Sequence, residues 1–233
     1  MRFGFAAAAV LGAALVSGAF AHAQGFDRDR SIPGGGIFVQ GWTGKIDASS
    51  QRQGRVLNDA KFVQEGNALH VTTGPATTFW NPANTASGNY TVKATFTEPK
   101  FMELNSHPHS YGIFIGGNNM GTDQMSLVYC VTYGSGEALV RGFGGPAVFT
   151  LLRQGPNPAV HKAAAVGQPV TQDIQWTVKG GRAECSINGT VVAGYDKAEL
   201  VGAGKLQSTD GVYGIRFTHN VEATIVGFAM TKN

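Results

Sequence analysis

The chain has 233 residues, only 14% of them charged, with 33 glycines and a formal net charge of +3 at pH 7. Charge is sparse against the ~25% of an average globular protein, and Lys and Arg are spread thinly, which argues against nucleic acid or an anionic membrane as partner. Glycines scattered without a period exclude collagen-like and low-complexity chains and indicate many turns.

The N-terminus reads as a targeting segment. Arg2 supplies a positive start, an apolar run follows from Phe3 to Phe20, and Ala21-His22-Ala23 gives the small-x-small frame of a signal peptidase. Gly4, Gly12, Ser17 and Gly18 interrupt the run and no basic cluster follows it, so a cleaved signal peptide over 1–23 is preferred to a membrane anchor. No later stretch is apolar enough to span a bilayer. A secreted or periplasmic location follows, with residues 24–35 as a flexible lead-in and 36–233 as one domain of a size common among β-sandwiches.

Strands dominate the rest. In Asn89–Thr97, Tyr90, Val92, Ala94 and Phe96 share one face, and in Asp173–Lys179 Ile174, Trp176 and Val178 do the same. This period-2 pattern predicts half-buried antiparallel strands. Between them, Tyr111–Ile115, Met125–Tyr133, Ala138–Phe143 and Ala147–Leu152 are apolar on both parities. Each is expected to be buried on both faces or to have one face lining a groove. Ala183, Cys185 and Ile187 continue the alternation, and Asn188-Gly189 predicts a tight hairpin into Thr190–Ala193. Asp196–Val201 is expected as one turn of helix capped by Asp196, before strands near Val212–Thr218 and Val221–Met230. About a dozen short strands without a long helix predict an all-β, two-sheet antiparallel sandwich.

The order of these segments also carries a resemblance. Gly88–Phe96, Tyr111-Gly112-Ile113-Phe114-Ile115-Gly116-Gly117, Met125–Tyr133, Ile174–Val178, Cys185-Ser186-Ile187-Asn188-Gly189 and Gly211–Asn220 together resemble the concanavalin A-like lectin/glucanase superfamily. More narrowly, they are similar to its laminin-G-like and 3-keto-disaccharide hydrolase type domains. The resemblance spans about residues 36 to 232 and implies a jelly roll with sugars bound on a concave face or rim. The glucanase branch carries a Glu-x-Asp-x-x-Glu strand, and no glutamate here is followed by Asp two positions on. A retaining site needs two carboxylates ~5 Å apart, so that branch's chemistry is not supported. Calcium is common in the superfamily, and Asp47, Asp59, Asp123 and Asp210 are the candidates, without an Asp-x-Asp loop.

Candidate ligand-binding residues are His107, His109, Tyr129, Tyr133, Arg141, Arg216 and His219. They lie on adjacent strands or strand ends of the resembled fold, and such aromatic, arginine and histidine side chains suit a saccharide groove. The bland alternative is sheet packing for the tyrosines and loop-surface positions for the histidines. Trp80 and Trp176 are expected in the core, with Trp42 open to either reading. Cys130 and Cys185, the two cysteines of an exported chain, are expected to pair, the alternative being two separate buried thiols. The leading functional expectation is a lectin-like carbohydrate-binding domain without a catalytic motif. A sugar-active hydrolase or lyase and a structural envelope protein are the alternatives.

Overall fold

The computed structural model describes residues 1, 29–102 and 108–233, so the expected signal peptide lies outside the described residues, as does His107. The fold is a two-sheet antiparallel jelly roll. The back sheet runs β1(Gly36–Ile37), β3(Lys61–Glu65), β4(Ala68–Thr72), β15(Glu222–Lys232), β6(Tyr90–Glu98), β11(Val170–Lys179), β12(Arg182–Ile187), β13(Thr190–Asp196). The front sheet runs β10(Ala147–Pro156), β9(Glu137–Gly144), β8(Ser126–Tyr133), β7(Ser110–Asn118), β14(Gly211–Phe217), β5(Thr77–Ala86), β2(Thr43–Ile46). All pairings are antiparallel except β1 with β3. The short helices are α1(Ala48–Arg52) and α2(Lys197–Leu200).

The alternating strands place one parity inward, as their sequences require. Tyr90, Val92, Ala94 and Phe96 of β6 meet Ile174, Trp176 and Val178 of β11 in one core with Tyr111, Ile113 and Ile115 of β7 and Ile215 and Phe217 of β14. Trp176 is fully buried, and its indole N–H donates to the carbonyl of Ile113 at 3.1 Å, linking the sheets. Cys130 of β8 and Cys185 of β12 form the expected disulfide, which ties front sheet to back through the core. The Asn188-Gly189 turn has positive φ at both residues, 49° and 80°, as a type I′ hairpin demands. Asp196 opens α2, its backbone N–H donating to the Glu199 carboxylate at 2.8 Å.

Two readings need correction. Ala147–Leu152 is not buried on both faces: β10 is the edge of the front sheet, and Val148 is 57% exposed. Residues 29–35, expected as part of a flexible lead-in, are fastened to the sandwich. The Arg30 N–H donates to the Asn220 side chain at 2.9 Å, Arg30 Nε to the Thr73 carbonyl at 2.9 Å, and the Ile32 N–H to the Asp59 carbonyl at 3.1 Å.

One carboxyl group is turned into the sandwich. Glu98, at the end of the inward row of β6, is only 4% exposed and has a side-chain oxygen without a hydrogen-bond partner among the described residues. It lies beside Gly134, where an added Cβ would stand 2.7 Å from Glu98 Oε2 and 2.5 Å from the Phe101 ring. Burial pushes its pKa up to about 7, although a hydrogen bond from the Met102 backbone pulls the other way. The neighbouring Tyr111 hydroxyl is pushed up as well, first by burial and then by the Glu98 charge.

Candidate functional site on the front sheet

The outward parity of the front sheet is not the polar surface that alternation usually leaves. Leu127, Tyr129, Val131 and Tyr133 of β8, Phe114 of β7, Trp80 of β5 and Leu139 of β9 form a second buried apolar cluster, with Met120, Phe143 and Val212 against it. Strands β7 and β8 are therefore apolar on both parities because each faces a core on both sides. Trp80 is buried as expected but belongs to this outer cluster, not to the core between the sheets. The turn after β7 folds over one end of the face. Lys45 Nζ donates to the Thr122 carbonyl at 2.7 Å and pairs with Asp123 at 3.0 Å, and Gly121 sits over the Trp80 ring.

Arg216 stands at the centre of this face. It lies on β14 opposite Gly112 of β7 and Thr78 of β5, and only 3% of it is exposed. Gly112 leaves no room for a side chain: an added Cβ would stand 2.0 Å from the Cys130 carbonyl oxygen. Both terminal nitrogens of Arg216 donate to the two oxygens of Asp47, Nη1 at 2.7 Å, and Nη1 also donates to Thr78 Oγ1 at 3.1 Å. Its guanidinium lies 5.4 Å from the Tyr129 ring centroid and 5.3 Å from that of Phe143. Burial alone would lower the Arg216 pKa, but the Asp47 charge and hydrogen bonds outweigh it and hold the group above its ordinary value. Burial raises the hydroxyl of Tyr129, against the opposing pull of Arg216 and Arg141.

Tyr129, Tyr133, Arg141 and Arg216 are thus brought together on one face. Tyr129 is opposite Arg141, whose Nε donates to Thr150 Oγ1 at 3.2 Å. Tyr133 lies opposite Glu137, whose carboxylate accepts from Ser135 at 2.6 Å. Lys45, Asp47, Arg141 and Phe143 are among the parts of the face that reach solvent.

His109 and His219 do not join that group. Phe217 pairs with Tyr111, and Thr218 bonds to Ser110, so His219 and His109 fall on the inward parity at the end of β14 and β7. Their rings are 4.4 Å apart and nearly perpendicular. His219 Nδ1 lies 3.0 Å from the buried carboxylate of Asp29, which also accepts from Ser50. The six described residues of the predicted rim thus fall on opposite sides of one sheet, His109 and His219 on one and the other four on the other, because one residue of register separates them; His107 lies outside the described residues.

Sequence reasoning missed Lys45 and Phe143 and weighed Asp47 only as a calcium ligand. The four Asp candidates hold separate partners: Arg216 for Asp47, Ser31 for Asp59, Lys45 for Asp123 and the Gly88 N–H for Asp210. Among the described residues no three His, Cys, Asp or Glu side chains gather as metal ligands, and no helix is long and apolar enough to cross a membrane.

Solved structures share this architecture. A Bacillus subtilis protein with a galectin-like fold matches at TM-score 0.56 and 15% identity, covering 82% of this chain and 89% of that one. The endo-β-1,3-glucanase of Pyrococcus furiosus matches at TM-score 0.53 and 11% identity, covering 82% and 88%. This is the concanavalin A-like fold. At such identities the likeness to other concanavalin A-like sandwiches concerns the fold alone. No family model matches the chain, and no curated protein matches it by sequence.

Proposed function

We propose that this concanavalin A-like protein is exported and binds carbohydrate, without catalysis, on the outer face of its front sheet. The observation that carries the proposal is the fixed guanidinium of Arg216 between Tyr129, Phe143 and Asp47, flanked by Arg141 and Lys45 at the solvent edge. The half-exposed ring of Phe143 can receive the C–H face of a sugar, and the Arg141, Lys45 and Asp47 groups beside it can exchange hydrogen bonds with hydroxyls, while the buried Arg216 and Tyr129 hold them in place from beneath. A face preorganised in this way binds with less loss of side-chain freedom. The inter-sheet disulfide supports export, since such bonds persist in oxidising compartments.

A hydrolase on this face is disfavoured by the state of its central carboxylate. Both Asp47 oxygens accept from Arg216, which suits an orienting anion and not a nucleophile or a general acid. The test is a glycan array probed with the protein lacking residues 1–23. Binding to a defined glycan with no release of sugar supports the proposal. Turnover of the bound glycan, or no binding across the array, contradicts it.

A further inference from the structure

A second cleft lies away from the front face, where Trp42, just before β2, meets strands β4 and β15 of the back sheet. Leu69 of β4 and Ile225 of β15, a cross-strand pair, form its floor, Trp42 and Phe228 are its half-buried aromatic walls, and Asn67 and Asn84 stand at its mouth. The cavity measures about 480 Å³, within the ~300–1,000 Å³ of ordinary ligand pockets.

Three features set it apart. First, a register break in each sheet opens onto it. In β15 the pairing with β6 skips Gly227 and Phe228, and Gly227 has φ 65°, so Phe228 turns toward Trp42 and Tyr213 with ring centroids 5.6 Å away in each case. In β5 the pairing with β14 jumps from Trp80 to Thr85, which releases the stretch containing Asn84. Bulges of this kind re-aim side chains and gather near functional sites. Second, the side-chain amides of Asn67 and Asn84 make no hydrogen bond among the described residues, so donors and acceptors remain for a ligand. Third, among the described residues no charged side chain lines the cleft, whereas Lys93 and Asp173 line the cavity on the outer back sheet, and Arg182, Lys197 and Asp210 line the small one near Gly88.

We infer that the Trp42–Phe228 cleft is a second binding site, for one neutral sugar ring of a glycan. An uncharged lining excludes anionic and cationic ligands, two aromatic walls accept the C–H face of a pyranose, and two free amides match its hydroxyls. This site rests on its own residues and not on the reading of the front face.

The three tryptophans make the two sites separable. The indole N–H resonance of Trp42 reports the cleft, that of Trp80 the front face, and that of buried Trp176 serves as an internal control. The full protein, titrated with cellobiose, laminaribiose and lactose to about 20 mM, well above millimolar affinity, is expected to show a saturable shift of Trp42 with at least one of them. Asn67→Ala and Asn84→Ala, both at solvent-reaching positions, are each expected to weaken that shift about 3- to 10-fold, and Phe228→Ala to abolish it, with any Trp80 response unchanged. The inference is overturned if Trp42 never moves with these sugars. It is equally overturned if the shift survives both amide variants at full strength, or if Trp42 responds to protein dilution in place of sugar, which would make the cleft a contact between copies.

Discussion

Glu98 offers a sharp test of the packing at one end of the core. Its carboxyl moves from an ordinary 4.5 to about 7 because the neutral form is favoured by burial. Between those values the folded protein holds a proton that the unfolded chain has released, so stability falls as pH rises from about 4.5 to about 7. At about 1.4 kcal/mol per tenfold change, the loss is on the order of 3 kcal/mol, complete above pH 7. Glu98→Gln keeps the shape and the neutral charge, so it removes this dependence. Urea unfolding of both proteins, with the disulfide intact, is measured at intervals from pH 4.5 to 8.5. The variant is expected to match wild type at the acid end and to exceed it by about 3 kcal/mol at pH 8. Parallel stability curves across that range would show that Glu98 ionises in place without penalty, and the buried-carboxyl argument would fail.

Other expectations are simpler to check. Replacing Cys130 and Cys185 by Ala removes a cross-link spanning 55 residues and should cost about 4 kcal/mol on the chain-entropy model, read by denaturant unfolding; an unchanged midpoint would count against the pairing. Arg216→Ala strands Asp47 and leaves a gap between Tyr129 and Phe143, so it should destabilise the fold by about 3–5 kcal/mol, and a variant as stable as wild type would contradict the central role given to this ion pair. Exported protein should begin at Gln24 on N-terminal sequencing, and retention of Met1 would refute the signal-peptide reading.

What the sequence disclosed followed from periodicity. Tyr90 to Phe96 and Ile174 to Val178 alternate cleanly because one parity enters the core and the other meets water. Asn188-Gly189 announced its hairpin because few other pairs tolerate two positive φ angles. The strands from β2 to β5 were not legible. In β5, Pro82 and two asparagines break the pattern, and they do so where the pairing with β14 is interrupted, so the missing proline N–H costs nothing. The double-sided apolar run of β8 showed that a second buried face existed but not what covered it. Burial of Trp80 was readable from its chemistry, whereas its side of the sheet depended on register. The Arg216–Asp47 pair joins residues 169 apart in sequence, and no local pattern encodes such a contact. For the same reason no local pattern discloses that His109 and His219, one residue out of phase with Ser110 and Thr218, lie on the inward parity.

The front-face proposal is tested most directly at Arg141, which reaches solvent beside Phe143 and, among the described residues, makes one side-chain hydrogen bond, to Thr150. Calorimetric titration of the protein and of Arg141→Ala with the glycan that binds best on the array compares affinities without disturbing the buried Arg216. The account predicts unchanged thermal stability and binding weakened by about 1–3 kcal/mol, roughly 5- to 150-fold. An Arg141→Ala protein that binds the glycan as tightly as wild type would place the saccharide elsewhere and contradict the assignment of this face.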